Sequence, residues 1–406
     1  MGHSRVNQLL VGAVAIALAA GCTSRSQHSP PAAGASPAAA AHPSKAGLPA
    51  SSAAADPPSP LPGSTETAST PPASAPAGLP ADVYAADHAG MLSPAVAGDV
   101  SRVYVPNSEA NTVDVIDPAT YRVVAHFAVG KLPQHVTPSW DLKTLYVDND
   151  MGNTLTPIDA RTGTPGTPIP VEDPYNLYFT ADGTKAIVVA ERFNRLDFRD
   201  PHTFALIKSV QVPCRGVDHM DYTADARFAL ASCEFSGQML KIDLADMSVA
   251  SVFALGSSPQ DVKLSPDGRT FYVADQNANG VFLVDAATFT RTGFIATGRG
   301  AHGLYVSRDS SVLYVSDRGA GMVTVIDLHS KKVVHQWHIG GSPDMGGVSA
   351  DGRQLWLSGR HDSAVYVIDT RTGALLHRIP VGHGPHGLSV FPQPGRYSIG
   401  HTGIFR

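Results

Sequence analysis

The chain has 406 residues and a formal net charge of −5, with 43% hydrophobic and 16% charged residues. This supports one large domain plus appendages. It shows no block of Lys and Arg, so nucleic acid is not expected as a partner, because phosphate binding needs clustered cations. Three cysteines exclude a disulfide-dense scaffold or a zinc ribbon, and no Cys-x-x-Cys-His occurs to attach a c-type haem.

Residues 1–21 read as a signal peptide. Arg5 gives a short basic start, and residues 9–20, LLVGAVAIALAA, form an apolar run. That run is shorter than the roughly 20 residues a transmembrane helix needs. It ends in LAAGC, which resembles a bacterial lipoprotein signal, with Cys22 as the lipidated residue; Ala19 stands where Leu is commonest. The resemblance implies an extracytoplasmic cell-envelope protein held to the membrane through a lipid anchor only. Ordinary cleavage and secretion is the alternative. Residues 22–80 are rich in Ala, Pro, Ser and Thr, with Arg25, Lys45, Asp56 and Glu66 as the charges. Such a segment cannot bury enough apolar surface to offset its ordering entropy, so a disordered, extended stalk is expected.

Residues 81–406 are expected to form one repeat domain. Its landmark is an Asp closing a β-branched run: Asp117, Asp159, Asp200, Asp243, Asp285, Asp327 and Asp369, spaced by 42, 41, 43, 42, 42 and 42 residues. A constant period of that length fits a four-stranded propeller blade. The unit from His302 reads GLYVS, VLYVSD, MVTVID and VVHQWHIGG, separated by the turns RDSS, RGAG and LHSKK. The first run is mostly apolar, as an innermost strand should be, and the last alternates, as an outer edge should. Seven landmark units are accompanied by eight candidate hairpins, the surplus one divided between 88–106 and 386–400. Seven blades follow if strand 387–391 completes the blade begun by 102–128, which leaves no open sheet edge. Eight blades would leave one half built. The predicted class is all-β: a seven-bladed propeller of four-stranded antiparallel blades, closed by the C-terminal strand on the N-terminal blade.

VYVPN (103–107), LYVDN (145–149), FYVAD (271–275) and LYVSD (313–317) resemble the YVTN repeat, and SPDGRTFYVAD (265–275) is a near-consensus copy. The resemblance spans about 84–400 and implies a bacterial extracytoplasmic propeller. It implies no single activity, since the fold hosts many chemistries.

The first turn of each unit supplies a register: Asp141, Asp182, Asp225, Asp267, Asp309, Asp351 and Gln393. Six and seven residues earlier stand Gln134–His135, Tyr175–Asn176, Asp218–His219, Gln260–Asp261, His302–Gly303, Asp344–Met345 and His386–Gly387. Each pair begins an innermost strand, so the pairs should meet at one channel mouth. The candidate ligand-binding set is His135, Asn176, Asp218, His219, Asp261, His302, Asp344 and His386. Two readings stay open. The side chains can satisfy backbone groups and tie blades together, or they form a ligand site, with His135, His219, His302 and His386 as candidate ligands of a divalent metal. His383 and His401 are further candidates for the mouth, whereas His335 and His338 read as surface residues. Cys214 and Cys233 bracket one hairpin and lie toward one face, so they pair as a disulfide or remain two buried thiols.

Three functions compete. The first is a monomeric, membrane-tethered binding or scaffold module with a small ligand or a protein at one face. The second is a lactonase-like hydrolase or lyase using the His/Asp mouth, with or without metal. The third is a redox propeller with a non-covalent cofactor. No GxSxG or similar nucleophile signature occurs, so catalytic residues are left unassigned.

Overall fold

The computed structural model describes residues 82–401 and 405–406. The signal peptide, the stalk and Cys22 lie outside the described residues. Among the described residues the only helical element is a single 3-10 turn, Pro94–Val96, and none is long and apolar enough to cross a membrane.

The rest is seven four-stranded antiparallel sheets. Blade 6 shows how the repeat writes a sheet. Its strands are Ala301–Val306, Val312–Asp317, Met322–Asp327 and Lys332–His338. The first three are nearly all buried and the fourth is nearly all exposed, including His335 and His338. Only Trp337 is half-buried there, so the outer strand is more exposed than its alternating sequence suggests. The turns are set by carboxylates. Asp309 accepts from the Ser307 hydroxyl at 2.6 Å and the Ser311 amide at 3.1 Å. The landmark Asp327 accepts from the amide of Ser330 at 2.7 Å and its hydroxyl at 2.6 Å. Asp159, Asp200, Asp285 and Asp369 do the same with a Thr three residues on. Donors so placed favour the charged form and hold these carboxyls below the usual range. The conserved spacing of the landmark is therefore turn chemistry rather than a site.

The six remaining innermost strands are Pro133–Pro138, Asn176–Phe179, Val217–Tyr222, Pro259–Leu264, Pro343–Val348 and Ser389–Phe391. The last belongs to blade 1 and closes the ring. It pairs antiparallel with Arg102–Asn107, in the register Arg102↔Phe391, Val103↔Val390 and Tyr104↔Ser389. Blades then pack face to face: Val103, Val105 and Ile116 of blade 1 meet Trp356, Val365 and Val367 of blade 7. Each such buried side chain contributes about 1.5–3 kcal/mol.

The front half of the 88–106 stretch makes no strand. Leu92 forms only isolated bridges to Pro394 and Gly395, and residues 94–96 form the 3-10 turn. This N-terminal segment lies over the first-turn ends of blades 5 and 6, where Val83 donates to Pro266 and Asp87 pairs with Arg308. The C-terminal segment crosses the same end of the channel and then enters it. Ser398 donates to Trp140, Phe179 to Ile399, and His401 to Leu177, at 3.0–3.1 Å. Arg406 is anchored by a 2.7 Å ion pair to buried Asp221.

Cys214 and Cys233 form a disulfide with their Cα atoms 6.1 Å apart and a separation of 19 in sequence. A loop of that length stabilises by about 3 kcal/mol through the unfolded chain. Thiol titration of the denatured, unreduced domain should find neither cysteine, and Cys233→Ser should lower Tm by about 5–10 °C.

Candidate functional site

The innermost strands run the same way round the ring, so their first residues share one end of the axis. His135, His219, His302 and His386 are buried there and touch in sequence around it. Ring centroids are 5.6 Å apart for His135–His219, 6.4 Å for His219–His302, 6.1 Å for His302–His386 and 4.9 Å for His135–His386. His401, brought up the axis by the C-terminal segment, lies 4.3 Å from His135 and 4.5 Å from His219. His383 is exposed and bonds Ser363, apart from this set. Gly387 follows His386 for a steric reason: a Cβ there would collide with the His135 ring.

The carboxylates of the set differ in what they do. Asp218 lies 2.7 Å from Nδ1 of His219. Asp344 lies 3.1 Å from His302 and 3.2 Å from Arg318. Asp261 is spent on backbone: it accepts from Val262 at 2.8 Å and from Leu304 of the next blade at 2.9 Å. It ties blade 5 to blade 6, the structural role open to any of these positions. Asn176 is buried and contacts the Tyr178 hydroxyl at 3.4 Å.

Burial, then the charge of neighbouring imidazoles and of Arg318 and Arg360, holds His135, His302, His386 and His401 well below the usual histidine pKa. They are neutral at pH 7. Burial also pushes His219 down, but Asp218 more than offsets it and leaves the pKa raised.

A second ring stands above the histidines, and the register argument missed it. Fifteen residues after the second member of six of the pairs come Asp150, Glu191, Glu234, Gln276, Arg318 and Arg360, and Ser108 takes the same place in blade 1. The signal was available: each is the first residue past the YV-type strand. Charge is segregated around this ring. Asp150, Glu191 and Glu234 come from three successive blades, and the charges of Asp150 and Glu234 both reach Glu191. Burial, then Asp218, Glu234, Asp150 and Asp173, push Glu191 up to about 9. Glu234 and Asp150 are pushed up to about 7, first by burial and then by neighbouring carboxyls. Beside these acids stand the exposed apolar residues Met151, Phe193 and Phe235. Across the mouth, Arg318 donates to Gln276 and Asp344, and Arg360 to Ser108. Arg299, Arg318 and His361 line an adjoining recess.

Residues 71–395 match the YNCE-like beta-propeller family. The chain belongs to that family. No curated protein matches it significantly in sequence. Solved propellers superpose on it at low identity. Hydrazine synthase of Kuenenia stuttgartiensis is 19% identical with TM-score 0.61, over 70% of this chain and 95% of that one. The dihydro-heme d1 dehydrogenase NirN is 15% identical with TM-score 0.56, over 74% and 76%. A putative 6-phosphogluconolactonase of Bacteroides uniformis is 16% identical with TM-score 0.59, over 71% and 99%. At such identities the likeness is one of fold.

A carboxyl whose pKa is raised on folding contributes stability below its ordinary value, and that contribution is lost as pH rises through the folded value. Glu191 therefore weakens the fold progressively between about pH 5 and pH 9. Glu191→Gln should flatten the fall in Tm across that window, measured by differential scanning calorimetry.

Proposed function

We propose that this YNCE-like propeller is a monomeric, membrane-tethered, extracytoplasmic binding module that holds a small cationic ligand at the channel mouth without turning it over. The observation that carries this reading is the acidic arc. Burial, and after it the charge of neighbouring carboxyls, raises all three, so at neutral pH Glu191 keeps its proton and Asp150 and Glu234, at about 7, are partly protonated. A bound cation would relieve that repulsion, and the neighbouring Met151, Phe193 and Phe235 offer apolar contact beside it. Among the described residues, no ring nitrogen of His135, His219, His302 or His386 is bonded to a hydroxyl or thiol, the arrangement a nucleophilic mechanism needs. The lipoprotein-type signal supports the tether.

Calorimetric titration with diamines, quaternary ammonium ions and metal ions tests the reading. Binding should release protons, tighten as pH rises from 6 to 9, and lose that pH dependence in Glu191→Gln with Glu234→Gln. A panel in which nothing binds removes the reading. For the tether, Cys22→Ser should move the protein from the membrane fraction to the soluble one.

A second reading is a lactonase-like hydrolase. Carboxyls with pKa values near neutrality in a mouth also suit general acid–base work, and one superposing structure is that of a putative 6-phosphogluconolactonase. Lactone hydrolysis that Glu234→Gln abolishes would favour it. The redox reading finds less support, because the five imidazoles fill the axis below the mouth.

A further inference from the structure

Five buried histidines meet on the axis, and two triads have donor atoms within 4.8 Å of one another: His135, His219 and His401, and His302, Asp344 and His386. They are not equivalent. In the second, Asp344 is already matched by Arg318, and His386 is bonded through Nδ1 to Gln134 at 2.9 Å. That triad is a bonded network between blades.

The first triad is built differently. Nδ1 of His135 donates to the Tyr175 carbonyl at 2.8 Å, which fixes the proton on that nitrogen. Nδ1 of His219 lies 2.7 Å from the Asp218 carboxylate, an ion-pair contact without hydrogen-bond geometry, and the negative charge favours the proton on that nitrogen. In the neutral form of each ring Nε2 is then the nitrogen with the lone pair. Both Nε2 atoms are fully buried and have no hydrogen-bond partner among the described residues. An imidazole anchored through one nitrogen to a carbonyl or carboxylate, with the other presented inward, is the arrangement that metal-bound histidines adopt. Two such lone pairs, turned into a buried space beside a third imidazole, repel one another unless something electron-poor lies between them.

We infer that His135, His219 and His401 form a site for a transition-metal ion of the zinc or copper type, held through imidazole nitrogens, with Tyr175 and Asp218 as the groups that orient the ligands. Three nitrogen donors suit zinc, copper or nickel and not magnesium or calcium, which take oxygen. Tetrahedral ligands at about 2.1 Å are spaced about 3.4 Å apart, so small rotations of the rings complete the set. The acidic arc above supplies the route for a cation, and in that respect the inference rests on the function proposed for the mouth. It adds a consequence for the fold. His401 comes from the segment threaded up the axis, so the ion joins that segment to blades 2 and 4.

The test uses the purified full chain, stripped with EDTA and titrated with zinc chloride. One equivalent should bind at micromolar affinity or tighter, and a hundredfold excess of magnesium should not displace it. His401→Gln and His135→Gln should each weaken binding more than about 100-fold, and Asp218→Asn about 10–100-fold. His302→Gln should leave affinity within about threefold. X-ray absorption at the zinc edge should show three imidazole nitrogens at about 2.0–2.1 Å. If the variants fail to fold, the absorption spectrum of the wild type decides alone. No zinc retained at millimolar concentration overturns the inference, as does zinc bound without histidine scattering, or zinc lost with Glu191→Gln and Glu234→Gln but kept with His401→Gln. Organic cations that still bind in those cases leave the reading of the mouth intact; loss of both removes it as well.

Discussion

A β-sheet with an open edge is a surface waiting for a partner, and the way this chain removes its last open edge fixes everything else. Six blades are made from consecutive sequence. The remaining one, blade 1, needs Ser389–Phe391 to return from the far end of the chain and lie against Arg102–Asn107. Once that pairing is made, all innermost strands start at the same end of one axis. Side chains more than 80 residues apart in sequence then stand within contact of each other. The site is a product of closure, since no local stretch contains enough of it to bind anything.

Closure also concentrates charge and lone pairs that water would otherwise separate. Seven strand starts converge on a width of a few side chains, so what each blade contributes must be balanced by another. Arg318 balances Asp344, and Asp261 is absorbed by two backbone amides. The balance fails at two places. Burial pushes the acids Asp150, Glu191 and Glu234 toward their protonated forms, and the inward nitrogens of His135 and His219 have no hydrogen-bond donor among the described residues. Buried polar groups are normally satisfied, so these two adjoining failures mark where an outside group enters.

The blades were legible because each repeats the same turn chemistry. The landmark Asp must accept amides at a fixed place, and that spaces it evenly along the chain. The inner ring was legible for the same reason, since a register taken from the turns carries straight to the strand starts. Legibility ended where the repeat ends. His401 belongs to a segment with no counterpart in other blades, so no register locates it. The stretch before Arg102 looked like a hairpin because it echoes the repeat, but its place beside Arg102–Asn107 is taken by the C-terminal strand, and residues 94–96 turn instead. The role of Asp261 was hidden for another reason. Whether a carboxylate faces the axis or turns back to a neighbouring amide is a matter of rotamer, which spacing does not encode.

The closing strand is three residues long, a short latch for a ring of this size. Its hold in time differs from its hold in energy. A ring that opens only at one seam has an unfolding rate set by that seam, however well the other six blades pack. The residues that follow the latch are therefore its brake. Ile399 and His401 are bonded into blade 3, and Arg406 is paired with Asp221 of blade 4. Before the seam can part, that segment must be drawn out of the axis. The same threaded segment that brings an imidazole to the channel thus sets how long the ring stays shut.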